Sequence, residues 1–203
     1  MSVTDLNQLE HQAVIEADLC IIGSGPAGLS IAQEFIGTNL NVWVVESGGY
    51  DEEPDTQALY DIESVGVPRM PQERVRNRIL GGSTHTWFGR CAPFNDLDFE
   101  ARDWVPHSGW PIARSSLTTY LERASHNLGI GISDYGVNLV TDCDGRAAAP
   151  PFKSDLLTSQ FWQYSKVSNT QREPRRFGKH IFPQLKDEPN IHVLLHANVT
   201  HIN

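Results

Sequence analysis

Leu19-Cys20-Ile21-Ile22-Gly23-Ser24-Gly25-Pro26-Ala27-Gly28 is the stretch that decides how this 203-residue chain folds. Four apolar residues in a row have the composition of a buried strand, and the run from Leu29 to Ile36 has the apolar spacing of a helix. Between them stands a turn almost stripped of side chains. In this G-x-G-x-x-G spacing the first glycine permits a sharp turn. The second lets backbone N–H groups approach a pyrophosphate, and the third lets helix and strand pack closely. The free N–H groups and the positive end of the helix dipole then favour negative charge.

Glycine-rich turns are common, so the residues downstream matter. Gly37-Thr38-Asn39 supplies a helix C-cap, and Val42-Trp43-Val44-Val45 forms a second strand that ends at Glu46. An acidic residue about 20 positions past the glycines, at a strand tip, is placed to accept hydrogen bonds from an adenosine ribose. The order strand, turn, helix, strand, acid implies an α/β fold: a Rossmann-like dinucleotide-binding domain with a mostly parallel sheet. Glu46 also disfavours a 2'-phosphate and hence NADP, and it leaves FAD and NAD both open.

Composition sets the outer bounds. Hydrophobic residues make up 39% of the chain and charged residues 20%, as in a globular protein, and 16 Gly with 12 Pro imply many loops. A net charge of -9 with no face of clustered Lys and Arg argues against a nucleic-acid partner. The basic stretch Arg172 to Lys179, broken by Glu173 and Pro174, is expected to be a solvated loop. Cys20, Cys91 and Cys143 are scattered and form no metal framework; Cys20, within the first strand, is expected in the core. Met1 to Glu16 has neither the basic region nor the apolar block of a signal peptide, and no apolar run has the length of a membrane span. A cytoplasmic location is expected, with export alongside a partner subunit left open.

Taken in order, residues before Asp18 are expected to be a polar lead-in. Asp51 to Asp55 reads as a solvated acidic loop without metal-ligand spacing, and Leu59 to Met70 as irregular. Arg74, Arg76 and Arg78 alternate with Val75, Asn77 and Ile79 before Leu80-Gly81-Gly82-Ser83-Thr84-His85-Thr86-Trp87-Phe88-Gly89-Arg90-Cys91. Paired glycines followed by hydroxyl, imidazole and indole groups make a loop able to run close to a flat ligand. Trp104 and Trp110 are expected to wedge into a core. A helix capped by Ser115 or Ser116 is expected to bury Leu117, Tyr120, Leu121, Ala124 and Leu128 and to end at Gly129. Gly129 to Pro151 reads as a loop, Phe152 to Tyr164 as an aromatic return with Leu156 and Phe161, and Lys179 to Leu185 as a short helix or turn. Ile191 to Leu195 reads as a buried strand, with Ala197 to Thr200 leading into another. His192, His196 and His201 do not converge on a metal.

Several of these stretches together resemble the N-terminal half of the glucose-methanol-choline (GMC) oxidoreductase family. They are Gly23 to Gly28, Glu46-Ser47-Gly48-Gly49, Gly81-Gly82-Ser83 with Trp87, Gly89 and Arg90, and Asp98-Phe99-Glu100 through Trp104-Val105-Pro106 to Ser108-Gly109-Trp110-Pro111-Ile112. The likeness covers nearly the whole chain and is greatest to bacterial members and the pyranose oxidase branch. It implies FAD as the acceptor of hydride from a CH–OH donor, a sugar or another alcohol. By this resemblance Gly23, Ser24, Gly25, Pro26, Ala27 and Gly28 hold the FAD pyrophosphate, and Glu46 with Ser47 meets the adenosine ribose. Gly81, Gly82, Ser83, His85, Thr86 and Trp87 run along the pyrophosphate, ribityl chain and isoalloxazine edge, and the backbone near Val199 meets the adenine. In the pyranose oxidase branch a histidine just before the tryptophan is joined to the flavin. Thr86 stands in that slot here, so no covalent bond is expected, and yellow colour retained in an acid pellet would show otherwise.

The resemblance also implies an organisation. Residues 1–150 form the FAD-binding portion, 151–185 begin a substrate-binding portion, and 186–203 return to the FAD-binding sheet. Family members carry the catalytic histidine and its partner near their C-terminus, past the position of Asn203. No residue here, including His85, His107 and His126, takes the role of base, and the chain is expected to be a fragment, a split subunit or a truncated product, inactive alone. Its partners would be the alcohol or sugar, and an electron acceptor or the missing C-terminal portion. The competing readings are a catalytically empty flavin- or nucleotide-binding subunit and an NAD-dependent dehydrogenase. The Gly81 to Trp87 loop and the long gap after the second strand argue against the latter.

Overall fold

The computed structural model describes residues 3–67, 69–71, 74–131, 135–136, 157 and 159–202. Cys143, Phe152, Leu156 and most of the expected 129–151 loop lie outside these residues. Among the described residues there are six strands: β1 (Val3–Asp5), β2 (Leu19–Ile22), β3 (Val42–Val45), β4 (Arg90–Cys91), β5 (Gln163–Tyr164) and β6 (Ile191–Leu195). The chain divides into two compact units, one of Met1–Trp87 with Arg175–Asn203 and one of Phe88–Pro174.

The first unit is built on a four-stranded parallel sheet of order β1-β6-β3-β2. Val42 and Val44 of β3 and Ile191 and Val193 of β6 are fully buried. Strands at the centre of a parallel sheet are covered on both faces, and these two are accordingly almost continuous apolar runs. Helix α1 (Pro26–Gln33) follows the glycine turn and packs Leu29 and Ala32, neither with any exposed surface, against β2 and β3. Ile181 and Leu185 of the 177–185 segment, and Phe177, are buried as well. The mixed α/β architecture with a parallel sheet is that of a Rossmann-like fold.

Four expectations for this unit need correction. The lead-in before Asp18 contains a strand: β1 pairs in parallel with β6, Thr4 against Leu194. Three residues are too few to show a period, so the strand has no sequence signature. Cys20 is exposed, not core. Among the described residues β2 pairs with β3 alone, at the edge of the sheet, and its alternate residues Cys20 and Ile22 face outward while Ile21 packs inward. Helix α1 stops at Gln33, three residues short of Ile36, in a run of turns leading to Gly37. Ala197 to Thr200 is not a second strand. His196 takes the left-handed conformation, φ 54°, and the chain leaves the sheet there.

In the second unit β4 and β5 pair antiparallel, and Ser125 of the helix Thr118–Leu128 is buried. Gly129 caps that helix in the left-handed conformation as its sequence implies. The N-cap differs: Leu117 occupies it after a 3-10 turn over Arg114–Leu117, without a side-chain cap. The expected apolar face is only partly covered: Leu117, Leu121 and Leu128 are half-buried, whereas Tyr120 is 61% exposed and Ala124 is exposed. Trp104 and Trp110 are 75% and 53% exposed, so neither wedges into a core. Trp110 instead lies against Phe94 and Phe99 at 5.9 and 6.4 Å between ring centres.

Candidate functional site

The parallel strands β2, β3 and β6 all end on one side of the sheet. Gly23 follows the first, Glu46 the second, and His196 and Ala197 the third. In open α/β sheets the crevice outside the carboxyl ends of the strands is where ligands bind. A cavity of about 480 Å³ lies there, within the roughly 300–1,000 Å³ of small-molecule sites.

The glycine turn forms one wall. A Cβ on Gly28 would fall on the carbonyl group of Gly23, so only glycine allows the first turn of α1 to sit this close to the end of β2. Ser24 is fully buried and directs both its N–H and its hydroxyl into Glu46. Glu46, 4% exposed, is the hub. Its Oε2 accepts from the Ser24 N–H at 2.9 Å and the Ser24 hydroxyl at 2.6 Å. Its Oε1 accepts from the Gly48 N–H at 2.9 Å and the Ser47 hydroxyl at 3.3 Å. The carboxylate thus ties the tip of β3 to the turn after β2. The Ser24 hydroxyl in turn accepts from the Gly81 N–H at 3.2 Å, which draws in the second glycine loop.

That loop closes the opposite side. Gly81 and Gly82 both have positive φ, and a Cβ on Gly82 would stand 2.9 Å from the Gly25 Cα. The two glycine-rich segments therefore touch backbone to backbone. Thr84 donates to the Gly81 carbonyl at 2.7 Å and accepts from the Phe177 N–H at 3.0 Å, so the loop is pinned from both directions.

Of the residues singled out in the sequence, Gly23, Gly25, Pro26, Glu46 and Ser47 line the cavity, as do Gly82, Ser83 and Val199. Ser24, Gly28 and Gly81 lie behind this lining as its framework, and Ala27 is exposed in the first turn of α1. His85, Thr86 and Trp87 do not line it. His85 pairs with Glu52 at 2.9 Å and borders a separate cavity of about 290 Å³ beside Arg176 and Lys179. Thr86 donates to Asn77 at 2.6 Å, and the Trp87 indole donates to the Arg175 carbonyl at 3.1 Å. The stretch Arg172 to Lys179 is also more than a solvated loop, because Arg176 donates to the carbonyls of Thr84 and Trp87, both at 2.8 Å.

Tyr60, Arg76, Asn77, Arg78 and Asn198 line the cavity too and were not singled out as site residues. The alternation of Arg74, Arg76 and Arg78 just ahead of Gly81 was the visible signal. The acidic loop contributes as well. Glu53 accepts from His196 Nε2 at 2.8 Å, while Asp5 Oδ2 is 3.0 Å from Nδ1, near enough for attraction but not aligned as a hydrogen bond. The Glu53 hydrogen bond, ahead of the Asp5 contact, raises the pKa of His196, and the same bond lowers that of Glu53. His192 stacks on Trp43 at 4.9 Å and His201 is exposed, so the three histidines have separate surroundings. Among the described residues no group of three or more metal-ligating side chains gathers, and no helix is long and apolar enough to cross a membrane.

No family model matches the chain, and no curated protein matches it in sequence. Among solved structures, that of a new fungal aryl-alcohol oxidase is similar over 89% of this chain and 39% of its own, at 13% identity and a TM-score of 0.47. A likeness that weak carries no argument about this chain.

Proposed function

We propose that this chain is the FAD-binding portion of an oxidoreductase that moves hydride from a CH–OH donor, a sugar or another alcohol, to the flavin. The observation that carries the proposal is the junction of the two glycine loops at the carboxyl ends of the strands, where Glu46 binds the Gly23–Gly28 turn and Gly82 packs on Gly25. The space before Gly25 fits a phosphate: a Cβ there would meet nothing within 4 Å, and it opens on the N-terminus of α1. Bound FAD would supply the hydride-accepting ring. The resemblance of Gly81 to Arg90 to the GMC family favours FAD over NAD.

Gly23, Gly25 and Gly82 would face the pyrophosphate with backbone alone. Glu46 and Ser47 would meet the ribose, and the backbone at Val199 the adenine. Ser83, followed by His85, Thr86 and Trp87, would lead towards the flavin ring, its course fixed by the Thr86–Asn77 and Trp87–Arg175 hydrogen bonds. Residues 1–150 and 186–203 would form the cofactor portion, and 151–185 would begin the substrate portion.

Titration of the purified chain with FAD, ADP and NAD tests this, with flavin fluorescence and calorimetry as readouts. FAD and ADP are expected to compete for one site and NAD to bind more weakly. Tight binding of NAD without FAD would replace the proposal with a nicotinamide-dependent one. Turnover of a dye acceptor with alcohols separates an enzyme from a catalytically empty flavin-binding subunit.

A further inference from the structure

We propose that Arg78 is an anion-binding residue of this cavity, its guanidinium taking a phosphate oxygen of the bound nucleotide. The inference rests on the dinucleotide reading of the site and adds a residue that neither the glycine motif nor its acid predicts.

Arg78 is only 8% exposed and borders the cavity. Its backbone is fixed: the N–H donates to Gln57 at 3.0 Å, and the next residue, Ile79, bridges to Gly49. The side chain is less well served. Nη2 donates to the Asn198 amide oxygen and the guanidinium carbon lies 4.8 Å from the centre of the Tyr60 ring, but the buried Nε has no acceptor. None of these partners is anionic, and among the described residues no carboxylate forms an ion pair with Arg78. The carboxylates that line a cavity with Arg78 are engaged elsewhere: Glu46 holds Ser24, Ser47 and Gly48, Glu53 holds His196 and Thr56, and Glu52 pairs with His85.

A buried cation without a counter-ion is costly, and folded proteins pair such groups. The cavity's other wall holds the N-terminus of α1, whose first turn carries no acidic residue. The Arg78 guanidinium and this helix N-terminus border one open space, where an anion would neutralise the buried charge. The planar fork of an arginine matches phosphate oxygens, whereas a neutral base or sugar would leave the charge unpaired.

Calorimetry on the whole 203-residue chain tests the assignment, with ADP, adenosine and inorganic pyrophosphate as probes and Arg78→Met and Arg78→Lys as variants. Arg78→Met is expected to weaken ADP by about 10- to 100-fold, as losing hydrogen bonds to a charged group does. It should leave adenosine binding unchanged, and the melting midpoint without ligand should stay the same or rise, because an unpaired buried charge has been replaced by an apolar chain. Arg78→Lys keeps the charge without the fork and should fall between. Pyrophosphate should displace ADP from the parent chain and fail to do so from Arg78→Met. ADP bound by Arg78→Met as tightly as by the parent overturns the proposal alone. So does equal loss of ADP and adenosine together with a lower melting midpoint, which would mark Arg78 as structural. If the parent chain binds neither FAD nor ADP, the dinucleotide reading fails and the assignment falls with it.

Discussion

Replacing Glu46 with glutamine keeps the shape of the side chain and removes one acceptor oxygen. Four donors converge on that carboxylate: the N–H groups of Ser24 and Gly48, both at 2.9 Å, and the hydroxyls of Ser24 and Ser47, at 2.6 and 3.3 Å. A glutamine oxygen turned towards Ser24 leaves its NH2 facing the Gly48 N–H. The Ser47 hydroxyl can rotate and accept, but a backbone N–H cannot. One buried donor is orphaned, at about 1–3 kcal/mol, and the bonds that remain lose their charge assistance, so the total is about 2–4 kcal/mol. For a chain of this length that lowers the melting midpoint by about 4–15 °C. Thermal and denaturant unfolding followed by far-ultraviolet circular dichroism measure it. Ser47→Ala is the control: it removes only the 3.3 Å bond and should change stability by no more than about 0.5 kcal/mol. A Glu46→Gln chain as stable as the parent, or one no worse than Ser47→Ala, would refute the role given to Glu46 as the tie between β3 and the glycine turn.

His196 should make stability depend on pH. Its pKa is raised from 6.5 by Glu53, so its contribution is complete below that value and is lost as pH rises through the raised pKa. Glu53 and Asp5, lowered from 4.5 and 3.8, contribute above those values and lose their contribution as pH falls through the lowered ones. The stability gap between the parent and His196→Gln should therefore be widest between about pH 4.5 and 6.5, and a gap independent of pH in chemical denaturation would contradict it. Gly28→Ala places a methyl on the Gly23 carbonyl and should cost about 1–3 kcal/mol along with ADP binding. Gly25→Ala meets no atom within 4 Å, so it should unfold like the parent while binding ADP less well.

What could be read in the sequence follows from the range of the interactions. β2 and β3 are specified by runs of four apolar residues next to glycine or acid, and β6 by four apolar residues in five, and the structure has them where the sequence places them. β1 is three residues long and exists only because β6 offers an edge 186 or more positions away. Burial was misjudged for Cys20, Tyr120 and Trp104 for the same reason: an apolar residue shows what it could pack against, not whether a partner is there. Within the site, the glycines and Glu46 were legible because backbone geometry demands them. Tyr60 and Asn198 were not, because they meet through loops that carry no period, and Arg78 showed only as one of three alternating arginines. His85 was recognised by its neighbours in the sequence, and its pairing with Glu52 depends on a loop more than thirty residues earlier.

The hydrogen bonds of Glu46 also change what that residue can do for a ligand. Its oxygens already hold four donors, so a ribose diol can be accepted only by exchange. The two backbone N–H bonds are fixed by the fold, while the hydroxyls of Ser24 and Ser47 can rotate. Turning away the Ser24 hydroxyl gives up a 2.6 Å bond, whereas turning away that of Ser47 gives up one of 3.3 Å. The ribose should therefore enter on the Oε1 side, next to Ser47, and leave the Ser24 bond in place to hold Gly81. Glu46 then gains little net affinity from the sugar, since each new bond replaces an old one. Its larger effect is to position the turn, and discrimination in favour of a charged nucleotide passes to the N-terminus of α1 and to Arg78. The displaced Ser47 hydroxyl turns to the same ribose, so Ser47→Ala should weaken adenosine binding slightly, and tighter binding of adenosine by that variant would show that the hydroxyl only occupies Oε1 and does not contact the sugar.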